Sequence, residues 1–275
     1  MEIFKPGLYI VSTPIGNLND ITIRAIEILK KSDIILCEDT RRSIKLLNHL
    51  KIKKKLISYY KFNERKKLSD IIKHLNEGKI LSLISDAGTP TISDPGTLLI
   101  RECVQKNISI YPVPGANSIT TAMSVSGFES QFIFFGFLPK TEKQVEKVLT
   151  GLRNLQFSIV FFISGIKIDF YLKIFKQFFS GREILIAREL TKSHETLYRD
   201  AVDKIKLFNS SLKGELTVVI SKSQFKKDYF DESEIKEEAK KLLKKYSLKD
   251  TVDLISEGKK IERKKIYKLC LSQKK

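Results

Sequence analysis

The stretch Lys79–Thr97, KILSLISDAGTPTISDPGT, holds the reading that decides the fold. Ile80–Ile84 is a short run rich in Ile and Leu, the composition of a buried strand. It ends in Ser85-Asp86-Ala87-Gly88-Thr89-Pro90 and Ser93-Asp94-Pro95-Gly96, where turn formers interrupt any regular element. Asp94 before Pro95 then marks a helix start. Outward from this unit the same order repeats. Apolar runs recur at Leu8–Val11, Ile34–Leu36, Leu56–Tyr60, Ile108–Val113, Ile133–Phe137, Ile159–Ile163, Ile184–Ala187 and Leu216–Ile220, and most are separated by stretches of helical period. Asp20 is placed to cap a helix carrying Ile23, Ala25, Ile26 and Leu29. Strands alternating with helices predict parallel sheets with crossover helices, the α/β class.

A boundary is expected at Leu138-Pro139-Lys140, where a strand runs into proline and a charged helix begins. With 275 residues the chain is long enough for two domains of ordinary size. The expected units are an α/β domain over 1–138, a second over 139–222 and a basic helical module over 223–275. In that module helical patterns cover Ser233–Tyr246, Lys249–Ser256 and Ile261–Leu271, with Gly258 between the last two. Three short helices with basic turns suit a helix-turn-helix-like module or a plain helical cap.

The composition, 42% apolar with 17 Phe, excludes a wholly disordered chain. No apolar run is long enough to cross a bilayer, and the N-terminal stretch lacks a secretory pattern. Cys37, Cys103 and Cys270 are scattered and odd in number, which argues for a reducing cytoplasm and against a disulfide framework or a cysteine metal site. The formal net charge is +18. From Lys222 to Lys275 there are 17 basic and 10 acidic residues, so the tail is more than twice as basic per residue as the body. Such a field draws polyanions, nucleic acid or an anionic surface; a lysine-rich bias serving solubility is the plainer reading of charge alone.

Four loops fall at strand ends: Ser12-Thr13-Pro14-Ile15-Gly16-Asn17-Leu18, Glu38-Asp39-Thr40-Arg41-Arg42, the 85–96 loop, and Pro112-Val113-Pro114-Gly115-Ala116-Asn117-Ser118. The carboxyl edge of a parallel sheet is where ligands collect. The first is neither a dinucleotide nor a nucleoside-triphosphate phosphate loop, and taken by itself it reads as an ordinary turn. Together on one rim they predict a cofactor cleft.

The segments TPIGN, CEDTRR, SDAGTPTISDPG, PVPGANS, GFLPK and RELTKSHE, in this order, resemble the tetrapyrrole-methylase superfamily of S-adenosylmethionine-dependent methyltransferases. More narrowly, they resemble its branch that 2'-O-methylates a decoding-centre cytidine of 16S ribosomal RNA. The resemblance covers residues 7 to about 222 and extends into the tail. It implies two α/β domains with S-adenosylmethionine held between them, a homodimer, and 16S rRNA in the small ribosomal subunit as partner, with no metal and no membrane. It also implies cofactor contacts from Thr13, Pro14, Ile15, Gly16, Asp86, Ala87, Gly88, Thr89, Asn117, Ser118 and Ile163. One stretch departs from the branch: Phe162-Ile163-Ser164-Gly165-Ile166-Lys167 stands where a Tyr-Glu-Ser-Pro-His-Arg-like run is usual. A methylase of a tetrapyrrole precursor, or an RNA-binding protein with a vestigial cleft, are the rival readings.

Methyl transfer to an alcohol needs the hydroxyl held in line and its proton accepted by a base. Glu38, Asp39 and Lys192 are candidates for that base, and Arg41 and Arg188 for gripping phosphate. The structural alternatives are helix capping for Glu38-Asp39 and an Arg188–Glu189 ion pair. His194 is the one histidine off a predicted helix surface, with a surface role favoured. The aromatic run Phe132–Phe137 reads as core packing. In the tail, Lys259, Lys260, Arg263, Lys264 and Lys265 are the candidate RNA phosphate contacts.

Overall fold

The computed structural model describes residues 4–209, 212–223, 232–259 and 263–272. The chain divides into two compact units, one of Met1–Thr150 with Phe157–Lys222, the other of Gly151–Gln156 with Ser223–Lys275.

The larger unit holds two five-stranded sheets. The first consists of β1 (Gly7–Val11), β2 (Ile34–Cys37), β3 (Lys55–Ser58), β4 (Ile80–Ile84) and β5 (Ile110–Val113) in the order β3-β2-β4-β1-β5, every pairing parallel. Its central strands are mostly apolar because both faces are covered, with Ser82 the polar residue inside β4, and alternate residues enter opposite layers. Leu8, Ile34, Leu36, Leu81 and Leu83 pack with Ile71, Ile72 and Leu75 of α3 (Glu64–Asn76) and Leu99 and Cys103 of α4 (Thr97–Gln105). Val11, Ile35, Cys37 and Ile84 pack with Ala25, Ile28 and Leu29 of α1 (Ile23–Lys31) and Leu47 of α2 (Thr40–His49). Each such side chain, once fully buried, contributes about 1.5–3 kcal/mol.

Two helix starts differ from the sequence expectation. Thr22, not Asp20, caps α1 by accepting from the Ala25 amide, since Asp20 closes a short 3-10 turn begun at Asn17. Gly96, not Asp94, precedes α4, which frees Asp94 to turn elsewhere.

The second sheet consists of β6 (Phe132–Phe137), β7 (Ser158–Ser164), β8 (Glu183–Arg188), β9 (Thr196–Ala201) and β10 (Glu215–Ile220), ordered β6-β7-β10-β8-β9. Only β6 and β7 are parallel; β10 runs antiparallel to both β7 and β8, and β8 to β9. The expected parallel pairing holds throughout the first sheet and for β6 with β7, and is corrected for β8, β9 and β10. An apolar run carries no sign of direction, and the short segment from β8 to β9 permits a direct antiparallel return. On one side of this sheet Val160, Leu185, Ala187 and Val219 meet Ile119 and Ala122 of α5 (Ser118–Ser124). α6 (Glu142–Leu152) and α7 (Ile168–Phe178) follow β6 and β7, and Phe175 of α7 lies 5.5 Å from Phe161, ring to ring. β6, which precedes the expected boundary at 138, pairs in the second sheet.

In the smaller unit α8 (Glu232–Leu242), α9 (Leu248–Lys259) and α10 (Arg263–Ser272) enclose Ile235, Ala239, Val252, Ile255, Ile266 and Cys270. Gly258 lies inside α9 and not between helices, a correction to the expected break. Among the described residues no helix is long and apolar enough to cross a membrane.

Candidate active site

The four loops predicted on one rim do converge. Backbone bonds join Thr13 and Gly88 in both directions, and the Thr13 hydroxyl donates to the Ser85 carbonyl at 3.1 Å. Ser12 and Thr89 share a hydroxyl bond of 2.9 Å. A Cβ on Gly115 would stand 2.9 Å from the Ser12 Cβ, so the first and fourth loops touch only because glycine sits there. Asn117 caps α5 through the Ile119 amide at 2.9 Å. Gly16 is pressed against the turn after β8: a Cβ would lie 2.6 Å from the Leu190 carbonyl oxygen, and the Asn17 amide donates to the Thr191 hydroxyl at 2.9 Å.

These contacts leave a cleft of about 600 Å³ with walls from both sheets of the larger unit. The backbone around it is contorted. Thr91, Ser93, Glu189 and Thr191 all adopt positive φ, between 52° and 72°. Non-glycine residues in that region carry about 1–3 kcal/mol of strain each and gather at functional sites.

Ile15, Asp86, Ala87, Gly88, Thr89, Asn117 and Ser118, all expected at the cofactor, line the cleft. Thr13 and Pro14 are buried and Gly16 faces the Leu190–Lys192 turn; none of the three is among the lining residues. Ile163 is also placed elsewhere. Successive strand residues face opposite sides, and on β7 it is Phe162 that reaches the cleft while Ile163 is buried.

Of the expected catalytic side chains, Glu38 and Lys192 line the cleft, whereas Asp39 and Arg41 do not. Asp39 caps α2 by accepting from the Arg41 amide at 2.9 Å, and its carboxylate takes the Arg41 guanidinium at 3.0 and 2.7 Å. Those bonds hold its carboxyl well below the usual range, which makes it a poor proton acceptor. Lys192 pairs with Glu189 at 3.3 Å, so the ion pair expected between Arg188 and Glu189 has a different cation. Among the described residues the buried Arg188 Nε has no hydrogen-bond partner, and Arg188 does not line the cleft. His194 is exposed. Of the aromatic run, Phe134 packs in the core as expected, whereas Phe132 and Phe135 are exposed and Phe137 reaches the cleft. In the smaller unit Arg263 pairs with Asp253 at 2.8 Å, while Lys264 and Lys265 are exposed on α10. Lys260 and the side chain of Lys259 lie outside the described residues.

Sequence reasoning missed Arg42, Asp94, Phe162, Glu189, Glu215 and Thr217 as cleft residues. Asp94 stands in a legible motif, but its place before Pro95 points to a helix start and not to the cleft. Glu215 and Thr217 left no signal, because their position depends on β10 running antiparallel. That direction sets the start of β10 against the end of β7, Glu215 opposite Ser164.

The electrostatics of the cleft oppose those of the chain. Glu38, Asp86, Asp94, Glu189 and Glu215 face only Arg42 and Lys192 among the lining residues. Arg42 approaches Asp86 at 3.4 Å, and Asp86 also accepts from the Asp39 amide at 3.1 Å. Burial, then the Asp86 charge, pushes the Glu38 carboxyl up. Burial and the Glu38 charge push Asp94 up to about 6. In a chain of net charge +18, an acidic cleft suits a small cationic ligand. Among the described residues no group of His, Cys, Asp and Glu has the arrangement of a metal site.

The family description "Tetrapyrrole (Corrin/Porphyrin) Methylases" matches residues 7–206. A protein of Mesomycoplasma conjunctivae named ribosomal RNA small subunit methyltransferase I is 44% identical over 228 residues, 81% of this chain and 95% of its own length. The chain belongs to this methyltransferase family. A relative of the same name from Buchnera aphidicola is 38% identical and covers 99% of both chains. Among solved structures, uroporphyrin-III C-methyl transferase from Thermus thermophilus complexed with S-adenyl homocysteine aligns with a TM-score of 0.56 at 13% identity, over 78% of this chain and 97% of that one. That likeness shows the fold. The cofactor of this methyltransferase is S-adenosylmethionine, whose sulfonium and ammonium cations match the surplus of carboxylates in the cleft.

Proposed function

We propose that this chain methylates the 2'-hydroxyl of a decoding-centre cytidine in the 16S rRNA of the small ribosomal subunit. The observation that carries the reading is the 44% identity to a small-subunit rRNA methyltransferase across nearly that protein's whole length. Asp86, Ala87, Gly88 and Thr89, with Asn117, Ser118, Ile15 and Phe162, are the residues that would hold S-adenosylmethionine. When bound, the cofactor supplies a methyl group already activated on a positively charged sulfur.

The chain's own residues then have three tasks. They hold the ribose hydroxyl in line with the donor methyl. A carboxylate of the cleft accepts the hydroxyl proton. Cations outside the acidic cleft bind RNA phosphates: Arg41, Arg188, Arg263, Lys264 and Lys265 serve in this reading, with Lys259 and Lys260 of the same tail. Arg41 is 87% exposed and presents its remaining donors to solvent. We further read the working form as a cytoplasmic homodimer, as the family resemblance implies.

The altered 162–167 stretch has a structural rationale that favours a formed cleft. The Gly165 amide donates to the Gly214 carbonyl at 2.8 Å, and a Cβ on Gly165 would collide with the Leu212 carbonyl oxygen. Gly214 and Glu215 line the cleft beside this contact, so the departure from the branch shapes a wall.

The test offers the protein labelled S-adenosylmethionine with small subunits lacking the modification, and in parallel with a porphyrin precursor. Label in 16S rRNA alone supports the reading; label in the precursor overturns it.

A further inference from the structure

We propose that the turn between β3 and α3 docks unpaired RNA, with Phe62 and Tyr60 stacking on a base beside the acceptor nucleotide. The inference rests on the rRNA methyltransferase reading and names the surface that holds the strand outside the cleft.

The segment reads Tyr60-Lys61-Phe62-Asn63-Glu64-Arg65-Lys66. Phe62, 89% exposed, is the most exposed large apolar side chain among the described residues. A lone exposed aromatic is ordinary, but this one is paired and held. Tyr60, itself exposed, stands 6.4 Å from it, ring to ring, at an edge-on angle of 68°. Asn63 pins the turn from beneath. Its side chain accepts from the Tyr60 amide at 2.8 Å and donates to the Ser58 carbonyl at 3.0 Å. The Glu64 carboxylate accepts from the Gly96 amide at 2.8 Å, which ties the turn to the loop before α4. An aromatic pair on a pinned turn loses little freedom on binding.

Cations surround the pair. Lys61, Arg65 and Lys66 are exposed, and among the described residues no ion pair engages them. Arg65 and Lys66 stand in the first turn of α3, where the helix dipole disfavours positive charge. Their placement therefore weakens the helix, and an external anion gives it a purpose.

Topology sets this surface beside the site. Cys37 pairs with Ser58 at the ends of β2 and β3, and the Tyr59 amide donates to the Cys37 carbonyl at 2.8 Å. The turn thus leaves the same rim as Glu38, which lines the cleft, and the exposed Arg41. A cleft rich in carboxylates repels phosphate, so a strand whose ribose enters it must find its cations on the rim. To bring a 2'-hydroxyl into a cleft of about 600 Å³, the nucleotide leaves its stack and the neighbouring base loses a partner. Aromatic rings replace that partner while Lys and Arg hold the flanking phosphates. A protein partner would call for a contiguous apolar patch, whereas Phe62 and Tyr60 stand among cations.

The experiment compares wild type, Phe62→Ala, Phe62→Leu, Phe62→Trp and the double variant Lys61→Gln/Arg65→Gln. The probe is a single-stranded RNA of about 12 nucleotides with 2-aminopurine next to a central cytidine. Its affinity and fluorescence quenching are read with each protein, together with S-adenosylhomocysteine affinity, a thermal melt, sedimentation, and methyl transfer to undermodified small subunits. Phe62→Ala is expected to weaken RNA binding and raise KM by roughly 5–100-fold, the range for losing one stacked base, and to lose the quenching. Phe62→Leu should behave like Phe62→Ala, and Phe62→Trp should restore both readouts to within about 3-fold. The double variant should lower the slope of log affinity against log salt by about 1–2. Cofactor affinity, Tm and sedimentation should stay as in wild type. Wild type that does not bind the probe, Phe62→Ala within about 2-fold of wild type, or full function in Phe62→Leu overturns the inference. So does loss confined to assembled subunits, which assigns the face to a ribosomal protein, or altered sedimentation, which assigns it to a second copy of this chain. Wild type that binds S-adenosylhomocysteine and the probe yet methylates no rRNA overturns instead the reading on which the inference rests.

Discussion

Thr13 and Gly88, 75 positions apart, exchange backbone hydrogen bonds of 2.9 and 3.0 Å just beyond the ends of β1 and β4. This two-bond clasp extends the pairing of the strands into their loops and fixes the floor of the cleft. It depends on Gly88, whose φ of +81° lies in the region that side chains resist.

Gly88→Ala therefore tests the clasp. The space around Gly88 tolerates a Cβ, which would rest 3.4 Å from Ile15 Cγ2, so the cost is conformational and amounts to about 1–2 kcal/mol. We expect cofactor affinity, read by calorimetry, to fall by roughly 2–30-fold if half or more of that strain is released by opening the loop. Unchanged affinity would show that the clasp does not shape the cofactor wall.

Gly165→Ala is the corresponding test on the second sheet, and here space is the obstacle. The collision is with the backbone of Leu212, which cannot rotate away as a side chain would. We expect a loss of about 1–3 kcal/mol in urea unfolding, the range for overpacking. A neutral outcome would mean that the 212–214 segment shifts freely.

Asp94 links stability to pH. Its folded-state pKa, about 6, lies above the ordinary 3.8, so the folded form holds its proton more tightly than the unfolded one. The penalty of ionised Asp94 is thus present above pH 6 and is relieved as pH falls from 6 toward 4. Because the side chain is only half-buried, solvent screening reduces the effect to about 1 kcal/mol or less. Asp94→Asn is expected to raise Tm by about 1–4 °C at pH 8 and to lose that advantage near pH 4. A lower Tm at pH 8 would contradict this.

The first sheet was legible because its central strands are buried on both faces, so GLYIV and ILSLI are dominated by apolar residues, with Ser82 the polar exception in ILSLI. β9, TLYRDA, was not: it is an edge strand with exposed Arg199 and Asp200, and polar edge residues hide the pattern. The same contrast runs through the site. Asp86, Gly88 and Asn117 announce themselves by turn chemistry after parallel strands, whose ends all fall on one rim. Glu215 and Phe162 belong to ordinary strand sequence, and only the antiparallel pairing of β10 with β7 brings them there. Arg42, one position beyond an expected residue, owes its place to α2, whose rotation per residue sends it toward Asp86 while Arg41 pairs with Asp39.

The α-helical unit at the C-terminus is expected to serve RNA and not the cofactor. Exposed Lys264, Tyr267, Lys268 and Leu271 recur at helical spacing along one face of α10, opposite buried Ile266 and Cys270. The Mesomycoplasma conjunctivae relative is matched over 95% of its length by only 81% of this chain. Replacing Lys264 and Lys268 with alanine should lower the slope of log affinity against log salt by roughly 1–2 and leave S-adenosylhomocysteine binding unchanged. Removal of residues 226–275 should weaken RNA binding more than cofactor binding; equal loss of both would refute the division.

Mapping the transferred methyl tests the central claim most directly. After reaction with undermodified small subunits, nuclease digests of 16S rRNA are analysed by mass spectrometry for the modified nucleoside and its fragment. The account predicts 2'-O-methylcytidine in a decoding-centre fragment and nowhere else. A methyl on a base, on another region of the rRNA, or on no RNA despite measured cofactor binding contradicts it.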